Sequence, residues 1–220
     1  MNTYQWHTGE PINLPLGKVV CVGRNYVAHA EELNNPVPEK PLLFIKPATS
    51  LVAFEQNIAL KKSLGDHHYE AELALLVGNT IDATSDNPLR HICGLGLALD
   101  LTLREVQAQL KAQGHPWERA KAYDGSCPIS PFVRCNEATL ADNIEYRFWQ
   151  NGLLRQHGES RLMIFSMTSL LQEISQYFTL MPGDIVLTGT PQGVGRLTDG
   201  DALTLQLENQ QPWQAQVQLS

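Results

Sequence analysis

The sequence is short of positive charge, of cysteine and of long apolar runs, and each shortage excludes a class of protein. Sixteen Lys and Arg stand against 23 Asp and Glu, a formal charge of −7 over 220 residues. A globally acidic chain is a poor partner for nucleic acid or an anionic membrane surface, although a local basic pocket stays open. The longest apolar stretches, such as Leu73 to Val77 and Leu95 to Leu99, are far too short to span a bilayer. Met1 to Leu16 lacks the basic start and apolar run of a signal peptide, so a cytoplasmic location is expected. The four cysteines (Cys21, Cys93, Cys127 and Cys135) form no CxxC pair and no disulfide-framework spacing, and read as reduced thiols that mostly fill the core. Cys127 adjoins a segment dense in functional residue types, which leaves a reactive role open for it. No GxGxxG, Walker A, internal repeat or Ser/Gly linker appears.

What is present is an ordinary globular composition, 43 % hydrophobic and 18 % charged, enough to bury a sizeable core. Short strands are expected at Lys18 to Val22, Leu42 to Ile45, Tyr69 to Val77, Ile185 to Thr188 and Leu203 to Leu207. Ile144, Tyr146 and Phe148 alternate with charged residues and run into Asn151-Gly152, a strong hairpin signal. Helices are fewer. One is expected over Asn25 to Leu33. A second follows Thr102 and Glu105, which have capping-box spacing, and a third runs from about Ser160 to Phe178 with Ile164, Met167, Leu171, Ile174 and Phe178 buried. Without strict βαβ alternation, this mixture indicates an α+β, β-rich fold.

The most telling feature is Glu70-Ala71-Glu72 in an otherwise apolar strand. Side chains two apart share a face, so two carboxylates project together and would repel unless compensated. A hard divalent cation is one compensator; an arginine partner or a solvated strand face are the others. Asp100 ends the apolar run Gly94 to Leu99 and supplies a third carboxylate, or else a helix-entry acid. Arg104 and Gln107 share one face of the following helix, a clamp for a carboxylate or a solvated surface. His29 and Glu32 are also three apart, the spacing at which a carboxylate orients an imidazole base, although such pairs also occur on plain surfaces. His67 and His68 adjoin the acidic strand and read as loop or neighbouring residues rather than ligands. Lys121 sits in a moderately apolar loop, and Thr190 in a Gly/Thr-rich loop whose backbone N–H groups can approach an anion.

Six blocks together resemble the fumarylacetoacetate hydrolase family, especially its small acylpyruvase-type members. They are residues 19–33, 42–50, 67–78, 96–107, 117–132 and 182–195, in the family's order and approximate spacing. The resemblance implies an N-terminal arm over 1–17 and a single catalytic domain over 18–220. That domain would be a mixed β-roll or barrel with a few short helices, usually assembled as a homodimer. Residue by residue, Glu70, Glu72 and Asp100 match the family's ligands for one Mg2+ or Mn2+ per subunit. His29 and Glu32 match the water-activating dyad, and Arg24, Arg104, Gln107, Lys121 and Thr190 match substrate-contacting or oxyanion-stabilising positions. Lys46 matches a family lysine of loosely defined role. Leu162 departs from the pattern, standing where many relatives carry an acid before Met-Ile.

The implied activity is metal-dependent hydrolysis of a carbon–carbon bond in a small β-diketo acid such as acetylpyruvate or fumarylpyruvate. Lys121 would act as an oxyanion donor. Decarboxylation or tautomerisation of oxaloacetate, or a hydroxymuconate-type isomerisation, uses the same enolate chemistry and is the runner-up. A non-catalytic small-acid binding protein is the remaining alternative.

Overall fold

The apolar runs Leu73–Val77 and Leu95–Leu99 lie side by side in the middle of a large sheet, with Leu73 opposite Leu97 and Leu75 opposite Leu95. The structure is a computed structural model and describes residues 4–220. The chain begins with β1 (Val19–Gly23), α1 (Val27–Glu32), β2 (Leu42–Lys46), β3 (Leu51–Ala53) and β4 (Gln56–Leu60). Next come β5 (His67–Tyr69), β6 (Ala71–Val77), β7 (Ile92–Leu99), β8 (Thr102–Leu103), α2 (Arg104–Gln113) and α3 (Glu118–Lys121). The second half holds β9 (Cys127–Ile129), β10 (Val133–Arg134), α4 (Glu137–Ala141), β11 (Glu145–Gln150) and β12 (Leu153–Glu159). It ends with α5 (Met167–Ser175), β13 (Ile185–Leu187), β14 (Gly195–Arg196), β15 (Ala202–Leu207) and β16 (Trp213–Leu219).

Eight strands form a mixed sheet in the order β2-β1-β13-β6-β7-β9-β3, with β10 also paired to β7. A five-stranded sheet runs β12-β11-β15-β16-β4, and β14-β5-β8 make a small third sheet. Every residue of β6 is buried because both faces of its sheet are covered. Leu73, Leu75 and Val77 join one core with Phe148 and Leu205 of the five-stranded sheet. Ala74 and Leu76 join a second core, closed by Tyr4, Trp6 and Ile12 from the N-terminal segment. The fold is therefore α+β and β-rich, with a few short helices, as expected.

Three expectations need correction. The 160–178 helix is shorter: Ser160–Leu162 is a 3-10 turn, and α5 starts only after Ser166, whose side chain accepts from Ser169 N–H. The reason is Asn25, whose side chain bonds both the N–H and the C=O of Phe165, while its C=O takes the Ile164 N–H. These three bonds hold Ile164 and Phe165 out of a helix. The Thr102/Glu105 capping box is also absent. Thr102 lies in β8 opposite His68, its hydroxyl donates to Asp100 C=O, and α2 begins after Leu103 with no side-chain cap. The expected strand Tyr69 to Val77 breaks at Glu70, with β5 in the small sheet and β6 in the large one. The Asn151-Gly152 hairpin forms as expected, with both residues in the left-handed region.

Candidate active site

Register brings the three carboxylates together. Ala71 lies opposite Leu99, so Glu70 falls opposite Asp100, and the Asp100 N–H donates to Glu70 C=O at 2.8 Å. Glu72 lies two residues further along the chain, inside β6. All three are buried, exposed by only 5 %, 1 % and 1 %, and offer one oxygen each within 4.8 Å of one another. Among the described residues, no other three His, Cys, Asp or Glu side chains meet in this way.

Three cations, each from a different element, surround the triad. Lys121, ending α3, donates to Glu70 Oε2 at 2.7 Å and to Asp100 Oδ2 at 2.6 Å. Arg104, opening α2, pairs with Glu70 Oε1 through one nitrogen and donates through another to Gln107 Oε1 at 3.0 Å. Lys46, fully buried at the end of β2, sits 2.9 Å from Asp100 Oδ1 and donates to Leu101 C=O, Lys121 C=O and both Ser126 oxygens. The arginine partner weighed for Glu70 is thus present. The role left loose for Lys46 is to hold the Asp100 end of the site and the C-terminus of α3.

The field inside this cluster is uneven. Burial works against ionisation of Glu70, but Lys121 and Arg104 outweigh it and hold its carboxyl far below the usual range. Glu72 goes the other way: burial, then Asp100 and Glu70, push its carboxyl well above the ordinary glutamate value. Its relief in the structure includes the Gly189 N–H, which donates to Oε2 at 2.6 Å. Burial would lower the Lys121 ammonium, yet Asp100 and Glu70 hold it above the usual lysine range.

The donor set fits a hard divalent cation: all oxygen, three carboxylates, converging and buried, with Glu72 inside β6, Glu70 just before it and Asp100 just after β7. Within this donor set, one buried oxygen has no hydrogen bond to satisfy it. Asp100 Oδ1 accepts none of adequate geometry, despite the nearby Lys46 ammonium.

His29 and Glu32 come together on α1, with Nδ1 3.2 Å from Oε2, and His29 is buried. The other Glu32 oxygen accepts the Gly193 N–H at 3.0 Å, which ties α1 to the loop after β13. Arg24, just before α1, has φ +59°, a left-handed backbone uncommon for a residue with a side chain. A cleft of about 150 Å³ is lined by Arg24, His29, Glu70, Arg104, Gln107 and Lys121. Phe44, Trp117 and Lys111 also line it, and sequence reasoning missed all three. The placement of Lys111 one turn beyond Gln107 on α2 was the available signal for it. Thr190 is buried differently: its hydroxyl donates to Ala71 C=O at 2.9 Å and accepts from Gln156 Nε2 at 2.8 Å. It supports the strand that carries Glu72.

Other readings resolve simply. Cys127 is fully buried in β9, and burial pushes its thiol up to about 12, so it is a core residue and not a reactive one. His67 is buried against Tyr123 Oη (2.8 Å) and Lys61 C=O (3.0 Å). Leu162 is 57 % exposed and does not line the cleft. A cavity of equal size lies between β3 and the N-terminal segment, but Tyr4 and Glu55 are its only ionisable residues.

The fold and the carboxylate site define a β-rich enzyme with a centre built for a divalent metal. The family description "Fumarylacetoacetate (FAA) hydrolase C-terminal" matches residues 18–218, and the chain belongs to that family. It is 47 % identical over 206 residues to the oxaloacetate tautomerase YcgM of Escherichia coli K12, covering 92 % of this chain and 94 % of the relative. A Yersinia pestis CO92 structure described as of this family matches with a TM-score of 0.93 and 43 % identity, covering 98 % of this chain and 100 % of that one. A fumarylpyruvate hydrolase from Pseudomonas aeruginosa, solved with Mn2+ and pyruvate, matches with a TM-score of 0.91 and 31 % identity, over 100 % and 96 % of the two chains.

Proposed function

We propose that this enzyme interconverts the keto and enol forms of oxaloacetate, using one Mg2+ or Mn2+ held by Glu70, Glu72 and Asp100. The observation that carries the reading is the cleft itself. In a chain of net charge −7, a space of about 150 Å³ is lined by Arg24, Arg104, Lys111 and Lys121 beside the acidic triad. Such a site suits a small, doubly charged 2-oxo acid. The 47 % identity to an oxaloacetate tautomerase supports the same substrate.

When bound, the cation supplies Lewis acidity toward the 2-oxo group and its neighbouring carboxylate. Arg24 and Arg104 orient the carboxylates through their guanidinium forks. Glu32 accepts the Nδ1 proton of His29 and so leaves Nε2 free as a base. His29 takes the proton from C3 in one direction and returns it in the other. Lys121 keeps positive charge next to the oxygen on which enolate charge develops, and a proton to or from that oxygen completes the exchange.

A second reading is carbon–carbon cleavage of acylpyruvates, in which His29 deprotonates a water. The intact His29–Glu32 pair and the similarity to a fumarylpyruvate hydrolase favour it. Enol-oxaloacetate decay, followed by ultraviolet absorbance with Mg2+ or Mn2+, tests the first reading. Pyruvate release from acetylpyruvate and fumarylpyruvate, followed with a coupled dehydrogenase, tests the second. Acylpyruvate cleavage with no acceleration of oxaloacetate ketonisation would reverse the order of the two.

A further inference from the structure

We infer that Gln156 is a positioning residue that fixes the distance between the His29–Glu32 pair and the acidic triad, acting through the loop 189–193. The inference rests on the proposed role of that pair as the base of the reaction.

Gln156 lies on β12, an edge strand, at an inward position where the period-2 pattern calls for an apolar side chain. It is 1 % exposed. A primary amide there is costly unless fully bonded, and this one is bonded at both ends. Its Oε1 accepts the Ala71 N–H at 2.9 Å; its Nε2 donates one proton to Thr190 Oγ1 at 2.8 Å and the other to Pro191 C=O at 2.9 Å. Leucine could fill the same space but would leave two donors' worth of contacts unmade and the Ala71 N–H without its acceptor.

The places these bonds reach are the reason to assign function. Ala71 is the residue between Glu70 and Glu72. Thr190 and Pro191 are the middle of a loop whose first residue, Gly189, donates to Glu72 and whose last, Gly193, donates to Glu32. Glu32 in turn holds His29. One buried amide thus pins the loop that touches both halves of the site. The neighbouring Arg155 carbonyl closes against Gly193: a Cβ there would lie 2.0 Å from that oxygen, and φ is +97°. Thr190 Oγ1 spends its only proton on Ala71 C=O, so its lone pair is available to Gln156 and the three groups lock mutually.

Amide hydrogen exchange on the metal-free protein is the direct test. In Gln156→Leu and in the isosteric Gln156→Glu, the Gly189 and Gly193 amides should exchange at least tenfold faster, with the β7 amides and the β6 amides beyond Ala71 unchanged. Turnover should fall at least tenfold with KM for oxaloacetate altered less than threefold. In a Glu32→Ala background the same Gln156 substitutions should cost little further turnover, because the path through Glu32 is already cut. A purely structural strut would instead raise exchange across the whole sheet and lower turnover by the same factor in both backgrounds, which would overturn the inference. If Gln156→Leu does not fold, Gln156→Glu and Thr190→Val carry the same measurements. If the wild type proves inactive toward oxaloacetate, the function proposed above fails, while the exchange at Gly193, which needs no substrate, still decides this one.

Discussion

Replacing Glu72 by Gln should stabilise the metal-free protein while removing its response to metal. Glu72 is the carboxylate on which the repulsion falls, because burial, Asp100 and Glu70 all push it up. The magnitude has a ceiling, since the folded chain can always protonate the group. Holding a carboxyl neutral at pH 7, when its ordinary value is 4.5, costs about 3 kcal/mol relative to the ionised unfolded chain. Gln avoids that cost, keeps the volume, and its carbonyl oxygen can still accept the Gly189 N–H. The expected gain at pH 7 is therefore up to ~3 kcal/mol, or about 6–12 °C in Tm for a chain of this size. The sign with pH is fixed by the raised value: the penalty in wild type grows as pH rises above the unfolded glutamate's titration. The gain from Glu72→Gln should accordingly shrink toward pH 5 and vanish near pH 4. Thermal melts in chelator, and again with excess Mg2+ or Mn2+, provide the assay. Wild type at about 100 times its Kd should gain ~2.7 kcal/mol, and Glu72→Gln much less. A chelated variant no more stable than wild type at pH 7, or a variant with the full metal-induced shift, would refute the reasoning.

Three other substitutions probe separate parts of the structure. His29→Ala should lower turnover about 10²–10⁴-fold while the metal-induced rise in Tm persists, since His29 belongs to α1 and not to the triad. Lys46→Met should destabilise by ~3–5 kcal/mol in denaturant melts, because it leaves Asp100 and the Ser126 and Leu101 oxygens without their buried cation. Asp201→Ala should lose about 3 kcal/mol, as the carboxylate accepts from Thr198 N–H and Oγ1, Gln150 Nε2 and Asn151 Nδ2. Burial opposes ionisation of Asp201, but the bonds from Thr198, Asn151 and Gln150 outweigh it and hold the carboxyl below its ordinary value. Wild type keeps the contribution above about pH 5 and loses it as pH falls through the folded-state value, so the two melting curves should converge in acid.

How far the sequence could be read depended on whether one residue's environment was local. The Glu70/Glu72 spacing and the apolar runs flanking Asp100 are local signals, and the triad assembled as they implied. That Asp100 lies opposite Glu70 is a matter of register, which no single strand carries. Helix 160–178 is cut back to α5 for a comparable reason: its apolar period is real, but Asn25, 140 residues away, claims the Phe165 backbone. Gln156 gave no signal at all, since a glutamine in a polar stretch reads as surface until its three partners are known. Strand β16 was legible and unread: Ala215 and Val217 are buried between exposed glutamines.

One pairing in the large sheet also sets when this enzyme can exist during its synthesis. Val19 joins β1 to β13 in parallel with Ile185, which is 166 residues later in the chain. At ribosomal rates of about 5–20 residues per second, β1 waits about 8–33 s for its neighbour. Through that interval β1 has β2 on one side and an open edge on the other, and the loop that donates to Glu72 and Glu32 has not yet been made. Folding of the sheet is thus dominated by long-range closure, a slow topology. A nascent chain stopped before residue 185 lacks more than its tail: it has no means of closing the candidate site whose acidic triad and flanking cations lie in its first 121 residues.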